Sequence, residues 1–108
     1  MNEKRVRALV DITYDSNTVT AQLYGEIDHH IAPKIRKEID SRCETVRPDL
    51  LRLDFKAVTF MDSSGVGLVM GRYRNIALLG GRLEVVNIPK PIEKVFSLSG
   101  LGRLGVLK

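Results

Sequence analysis

Val6, Ala8, Val10, Ile12 and Tyr14 stand at every second position, and after Asp15, Ser16 and Asn17 the alternation resumes at Val19, Ala21 and Leu23. A period of two puts one set of side chains on one face of a strand, and an Asp-Ser-Asn break suits a tight turn. Residues 6–23 therefore predict an antiparallel hairpin. Past Gly25 the period becomes four, with Ile31, Ile35, Ile39 and Cys43 recurring among charged residues. That pattern predicts an amphipathic helix. Pro33 fits its first turn, where a missing N–H costs little, so the helix starts near Ile31 and leaves Asp28, His29 and His30 in the preceding loop.

Arg47, Pro48 and Asp49 end that helix, and the leucine-dense LLRLDF of residues 50–55 predicts a short strand buried on at least one face. KAVTFMD is read as a loop. Val66, Val69, Met70, Tyr73, Ile76 and Ala77 then form the apolar stripe of a second helix closed by Gly80 and Gly81. RLEVVNI predicts a strand, PKPIEKVFSLSG a third helix opened by prolines and closed by Gly100, and LGVL a last short strand. The order ββαβαβαβ implies an α/β fold: a mixed, mostly parallel sheet with an antiparallel N-terminal hairpin and helices packed on it.

With 108 residues, 44% hydrophobic and 28% charged, the chain suits one domain, residues 1–108, with a modest core. No apolar run approaches the roughly 20 residues of a membrane helix, and MNEKRVRALVDI has no segment resembling a signal peptide. The expectation is a cytoplasmic protein without a membrane partner. The net charge of +4 raises nucleic acid as a partner, but the basic groups Lys4, Arg5 and Arg7, then Lys34, Arg36 and Lys37, then Arg72 and Arg74 are interleaved with acids, and no tryptophan accompanies them. They are read as solvated faces, with no nucleic-acid partner. Cys43 stands alone, without a disulfide partner or the companions of a metal site, and is read as a small hydrophobe.

The chemistry concentrates in FMDSSGVGLVMG, residues 60–71. Asp62 or Ser63 suits the cap of the second helix, its side-chain oxygen accepting a free first-turn N–H. One cap leaves at least one hydroxyl spare. A hydrolase nucleophile lacks the GxSxG elbow, since Met61 and Asp62 precede the serines by two, and His29 and His30 have no evident orienting partner. Two adjacent histidines beside Asp28 also make a poor metal site. The glycines at 65, 67 and 71 read GxGxxxG rather than the dinucleotide spacing, and no Gly-Lys-Ser/Thr marks a P-loop. A helix cap and a covalent phosphate remain compatible. An anion at a helix N-terminus is locally favoured while the outward surface gains about two negative charges.

Four segments together resemble the sulphate transporter and anti-sigma factor antagonist (STAS) family: YGEIDHH at 24–30, FMDSSGVGLVMGRY at 60–73, the double glycine with its strand at 80–86, and PIEKVFSLSGL at 91–101. Within it they resemble most the anti-sigma factor antagonists of the stage II sporulation protein AA type. The resemblance implies a regulatory binding module rather than an enzyme, with no cofactor and no metal. It implies phosphorylation of Ser63, with Ser64 as the runner-up, by an ATP-dependent kinase that is also an anti-sigma factor, and removal of the phosphate by a serine phosphatase. The unphosphorylated form would bind the kinase and so release a sporulation sigma factor. Asp28 matches an acidic loop position near the phosphorylated serine; by proximity, the partner surface comprises Asp28, His29, Asp62, Ser63, Ser64, Gly65 and Val66. The alternatives are a STAS module of a stress-response or other partner-switching system, and a nucleotide-binding regulatory module. Relatives commonly carry a further helix after the last strand; with LGVL followed directly by Lys108, that helix is expected to be absent here and the fold core to survive without it.

Overall fold

The computed structural model describes residues 9–108. Its elements are β1 (Val10–Asp15), β2 (Thr18–Ile27), α1 (Ala32–Val46), β3 (Leu50–Met61), α2 (Ser63–Leu78), β4 (Arg82–Val86), α3 (Lys90–Ser99) and a 3₁₀ turn, Leu101–Leu104. The four strands form one sheet in the order β1-β2-β3-β4. β1 runs antiparallel to β2, with Ile12 opposite Ala21 and Tyr14 opposite Val19. The connecting residues Ser16 and Asn17 both have positive φ, 52° and 61°. A two-residue turn with that sign matches the right-handed twist of the strands it joins. The expected hairpin is therefore present from Val10 onward, while Val6 and Ala8 lie outside the described residues. β2, β3 and β4 are parallel, joined by α1 and α2 as crossovers.

Alternation in the strands decides where the core lies. Val19, Ala21 and Leu23 of β2, Leu51, Leu53 and Phe55 of β3, and Leu83 and Val85 of β4 are buried in one cluster with Ile35, Ile39 and Cys43 of α1, Val69 and Ile76 of α2, and Phe96 of α3. Phe55 and Phe96 meet edge to face, with centroids 5.3 Å apart, a favourable arrangement of ring quadrupoles. The intervening Thr20, Gln22, Arg52, Asp54 and Glu84 are half-buried on the opposite face, where Arg52 and Glu84 form an ion pair. Burial pushes the Cys43 thiol up to about 11, as suits a core hydrophobe.

Three expectations from the sequence need correction. KAVTFM is strand, not loop: β3 continues to Met61, with Ala57 opposite Tyr24, Val58 opposite Gly25 and Met61 opposite Ile27. The alternation breaks there because β2 is irregular between Gln22 and Tyr24 and again between Gly25 and Glu26. Gly25, at φ +71°, takes a backbone conformation in which other residues are strained. The buried set then shifts to Val58 and Met61, and a period of two no longer marks the strand. Second, LGVL does not form a strand of its own. Gly100 and Gly105 flank the 3₁₀ turn with positive φ, and a single bridge, Val85 to Leu107, joins the sheet. Third, the buried side of α2 is rotated from the expected stripe: Leu68 and Arg72 are buried and Ala77 is exposed. α2 packs against both the sheet and α1, so two sides of it are covered.

Candidate functional site

Parallel pairing carries the C-terminal ends of β2 and β3 to the same edge of the domain, where α/β sheets characteristically place their sites. Ile27 is paired with Met61, and one residue further the Asp62 amide donates to the Ile27 carbonyl at 3.2 Å. The DHH loop and the DSSG turn, 34 residues apart in sequence, are thereby fixed side by side. The bulge at Gly25 lies just before this edge.

Asp28 is the organising residue of its loop. Its Oδ1 accepts from the amides of His30 at 2.9 Å and Ile31 at 3.0 Å, and its carbonyl accepts from Ala32 at 2.9 Å. The side-chain bonds close the turn that leads into α1, while Ala32, the first residue of the helix, contributes one of the N–H groups that a helix start leaves without an intrahelical partner. Chiefly the Ile31 amide, then the His30 amide and the two neighbouring imidazoles, hold the carboxyl below its ordinary range against a smaller opposing effect of desolvation. His29 and His30 are exposed, with ring centroids 4.2 Å apart.

Asp62 caps α2. Its backbone is extended, its Oδ1 accepts from the Ser64 amide at 2.8 Å, and its carbonyl accepts from Gly65 at 3.0 Å. With the cap supplied by Asp62, both serine hydroxyls are left over. Ser63 is the first residue of the helix and is exposed. Ser64, one residue on, turns into a groove between α1 and α2 of about 280 Å³ that also receives His29. Gly65 is buried, and a Cβ there would lie 2.2 Å from Met61 Cγ and Sδ. Its absence of side chain lets the first turn of α2 sit directly on the end of β3. Val66 is half-buried beside it. Asp28, His29, Asp62, Ser63, Ser64, Gly65 and Val66 thus fall together at one end of the sheet, past the C-terminal ends of its two central strands.

Two arginines of the groove escaped the sequence reading, which placed both on solvated faces. Arg72 is only 6% exposed. Its Nε lies 2.7 Å from Asp40 Oδ1 on α1, which also accepts from Asn75 Nδ2 at 3.1 Å. This charge pairing ties α2 to α1. Arg36 lines the same groove from the α1 side. The available signal was spacing: Ser64, Leu68 and Arg72 follow one another by four on α2, a stripe that ends on a charge and so was not read as buried.

A STAS domain model matches residues 10–107. Among curated relatives, the anti-sigma F factor antagonist of Lysinibacillus sphaericus is 40% identical over 85 residues, 79% of this chain and 73% of the relative. The anti-sigma-B factor antagonist of Bacillus subtilis (strain 168) is 30% identical over 92 residues, 85% of this chain and 83% of the relative. The anti-sigma factor antagonist SpoIIAA in its unphosphorylated form superposes with a TM-score of 0.80 at 35% identity, covering 92% of this chain and 85% of that one. The Bacillus cell fate determinant SpoIIAA in its phosphorylated form does so with a TM-score of 0.72 at the same identity, covering 92% and 88%.

Proposed function

Because this chain belongs to the STAS family, we propose that it is an anti-sigma factor antagonist switched by phosphate on Ser63. In this reading the unphosphorylated chain binds an anti-sigma factor that is also a serine kinase, and a sporulation sigma factor is released. The kinase transfers the γ-phosphoryl group of ATP to Ser63 Oγ, with loss of the hydroxyl proton and release of ADP. A serine phosphatase hydrolyses the ester and restores the binding form. The chain supplies the accepting hydroxyl and the binding surface, and catalysis belongs to its partners.

The observation that carries the proposal is the division of labour at the start of α2: Asp62 makes the cap, so the exposed Ser63 hydroxyl is spared a structural role. A phosphate there meets a helix N-terminus, which favours an anion, so the fold tolerates it. The partner does not. A surface fitted to a hydroxyl would have to bury about two negative charges beside the carboxylates of Asp28 and Asp62, adding repulsion to desolvation. A differential of roughly 5.5 kcal/mol takes such a complex from nearly complete to nearly absent.

The likeness to an anti-sigma-B factor antagonist supports a second reading, in which the same switch serves a stress-response sigma factor. Incubation with the cognate kinase and radiolabelled ATP tests the site: we predict one phosphate per chain, none on Ser63→Ala. Equal labelling of Ser63→Ala would overturn the site. Recovery of the unphosphorylated chain with a stress-response kinase, and not with a sporulation kinase, would select the second reading.

A further inference from the structure

Phe60 is exposed where strict alternation along β3 would bury it. Val58 is 3% exposed and Met61 4%, both turned to the core, whereas Phe60 between them is 51% exposed. The register explains the difference. Gly25 stands opposite Val58 and the next residue, Glu26, stands opposite Phe60, so β3 carries one residue more than β2 at this point, Thr59. An extra residue exchanges the two faces of a strand: counted from Val58, Phe60 would point inward, and the bulge turns it outward. The next pair, Ile27 and Met61, is buried in the core beneath the helices. Glu26 and Phe60 therefore lie together on the opposite, open face of the sheet, and both are exposed. Leaving a phenylalanine there forgoes the apolar burial that an unbulged strand would give it. Three residues separate Phe60 from Ser63, a reach of at most about 11 Å. An interface of ordinary size, about 800 Å² on each side, extends past that distance when centred on Ser63.

We propose that Phe60 is the apolar anchor of the partner surface, entering an apolar pocket of the anti-sigma factor kinase whose rim carries a basic side chain opposite Glu26. The proposal rests on the function proposed above and extends its contact surface from the DSSG turn onto the open face of the sheet. A protein that brings ATP to the Ser63 hydroxyl has to cover this end of β3. An aromatic ring offers it a large apolar area with few torsions to immobilise, the character of residues that dominate binding. Glu26, exposed beside the ring, serves orientation: a charge at the rim of an interface acts chiefly on the rate of association and its salt dependence. Phe60 touches no reacting atom. Its effect falls on binding and not on phosphoryl transfer.

Calorimetric titration of the cognate kinase with ADP, and steady-state labelling of Ser63 with ATP, compare the full chain with Phe60→Ala. We predict binding weaker by at least about tenfold and a KM for the chain raised to match, with kcat within about twofold of the parent. Leu78 is 86% exposed at the far end of α2, about 22 Å of helix from Ser63, and Leu78→Ala should bind as the parent does. A urea midpoint for Phe60→Ala equal to the parent's shows that contact and not folding was lost. Glu26→Lys leaves the core untouched and tests the rim separately: at low salt it should slow association by at least about tenfold while dissociation changes little. Unchanged affinity of Phe60→Ala, equal weakening by Leu78→Ala, or an unchanged association rate for Glu26→Lys would overturn the proposal. So would dimerisation of the free chain that Phe60→Ala abolishes, since it would assign the ring to a second copy. If the kinase binds the parent and Phe60→Ala alike and discriminates against phosphate on Ser63, the anchor is refuted and the switch stands. If the kinase does not bind the parent, the proposed function and the anchor fall together.

Discussion

Asp62 Oδ1 accepts the Ser64 amide at 2.8 Å, and this one bond separates the structural duty of the DSSG turn from its chemical one. Losing the cap costs helix stability, whereas losing the Ser63 hydroxyl does not. We predict that Asp62→Ala lowers unfolding free energy by about 1 kcal/mol and that Ser63→Ala changes it by less than about 0.5 kcal/mol. Urea titrations of the two variants would measure both. Comparable losses in the two would mean that the serine shares the cap.

Asp28 makes acid stability depend on the DHH loop. Its folded-state carboxyl titrates below the ordinary 3.8, so the unfolded chain binds the proton more readily. The stabilisation is complete above the unfolded value and is lost as pH falls through the folded one. Thermal unfolding between pH 6 and pH 2.5 should therefore show a shallower acid decline for Asp28→Asn than for the parent chain. Parallel curves would show that the amide bonds at Asp28 contribute nothing differential.

Glycines of α2 that look equivalent in sequence are expected to respond oppositely to alanine. At Gly65 the new Cβ would overlap the buried Met61 side chain, and we expect a loss of about 1–3 kcal/mol. At Gly67 the Cβ enters open space, and alanine should add up to about 1 kcal/mol through helix propensity. Denaturation midpoints moving the same way for both would contradict the close contact of α2 with the end of β3.

Asp40 is expected to matter more than its partly exposed position suggests. Replacing it by alanine leaves Arg72 buried without its counter-charge, a loss we place at about 2 kcal/mol, below the range for a fully buried pair because Asp40 remains partly solvated. The double variant Asp40→Leu with Arg72→Met should recover part of it. A single-variant loss below about 0.5 kcal/mol would show that the pair is not holding α1 to α2.

How much of this was legible beforehand follows from where local pattern and tertiary context agree. The hairpin from Val10, α1 with Ile35, Ile39 and Cys43 inward, and the helix closed by Gly100 all follow periodicities that the tertiary structure keeps. The extension of β3 through residues 56–61 was hidden because the irregularities in β2 shift which side chains face the core. LGVL has apolar residues of a strand, but Gly100 and Gly105 turn the chain around it. The serines were visible as a surplus of hydroxyls, yet only the fold distinguishes them: Ser63 is exposed at the first position of α2, whereas Ser64 turns into the α1–α2 groove. Arg72 was misread because its burial depends on Asp40, 32 positions earlier on another helix. Partnership of that kind leaves no local trace in a sequence.

The proposed switch stands or falls on one comparison. Calorimetric titration of the cognate anti-sigma factor kinase, in the presence of ADP, with the unmodified chain and with the chain phosphorylated at Ser63, measures the differential directly. Phosphate on Ser63 is expected to weaken binding by at least about a hundredfold, toward the roughly 10⁴ that a complete two-state exchange requires. Equal affinity for the two forms would contradict it.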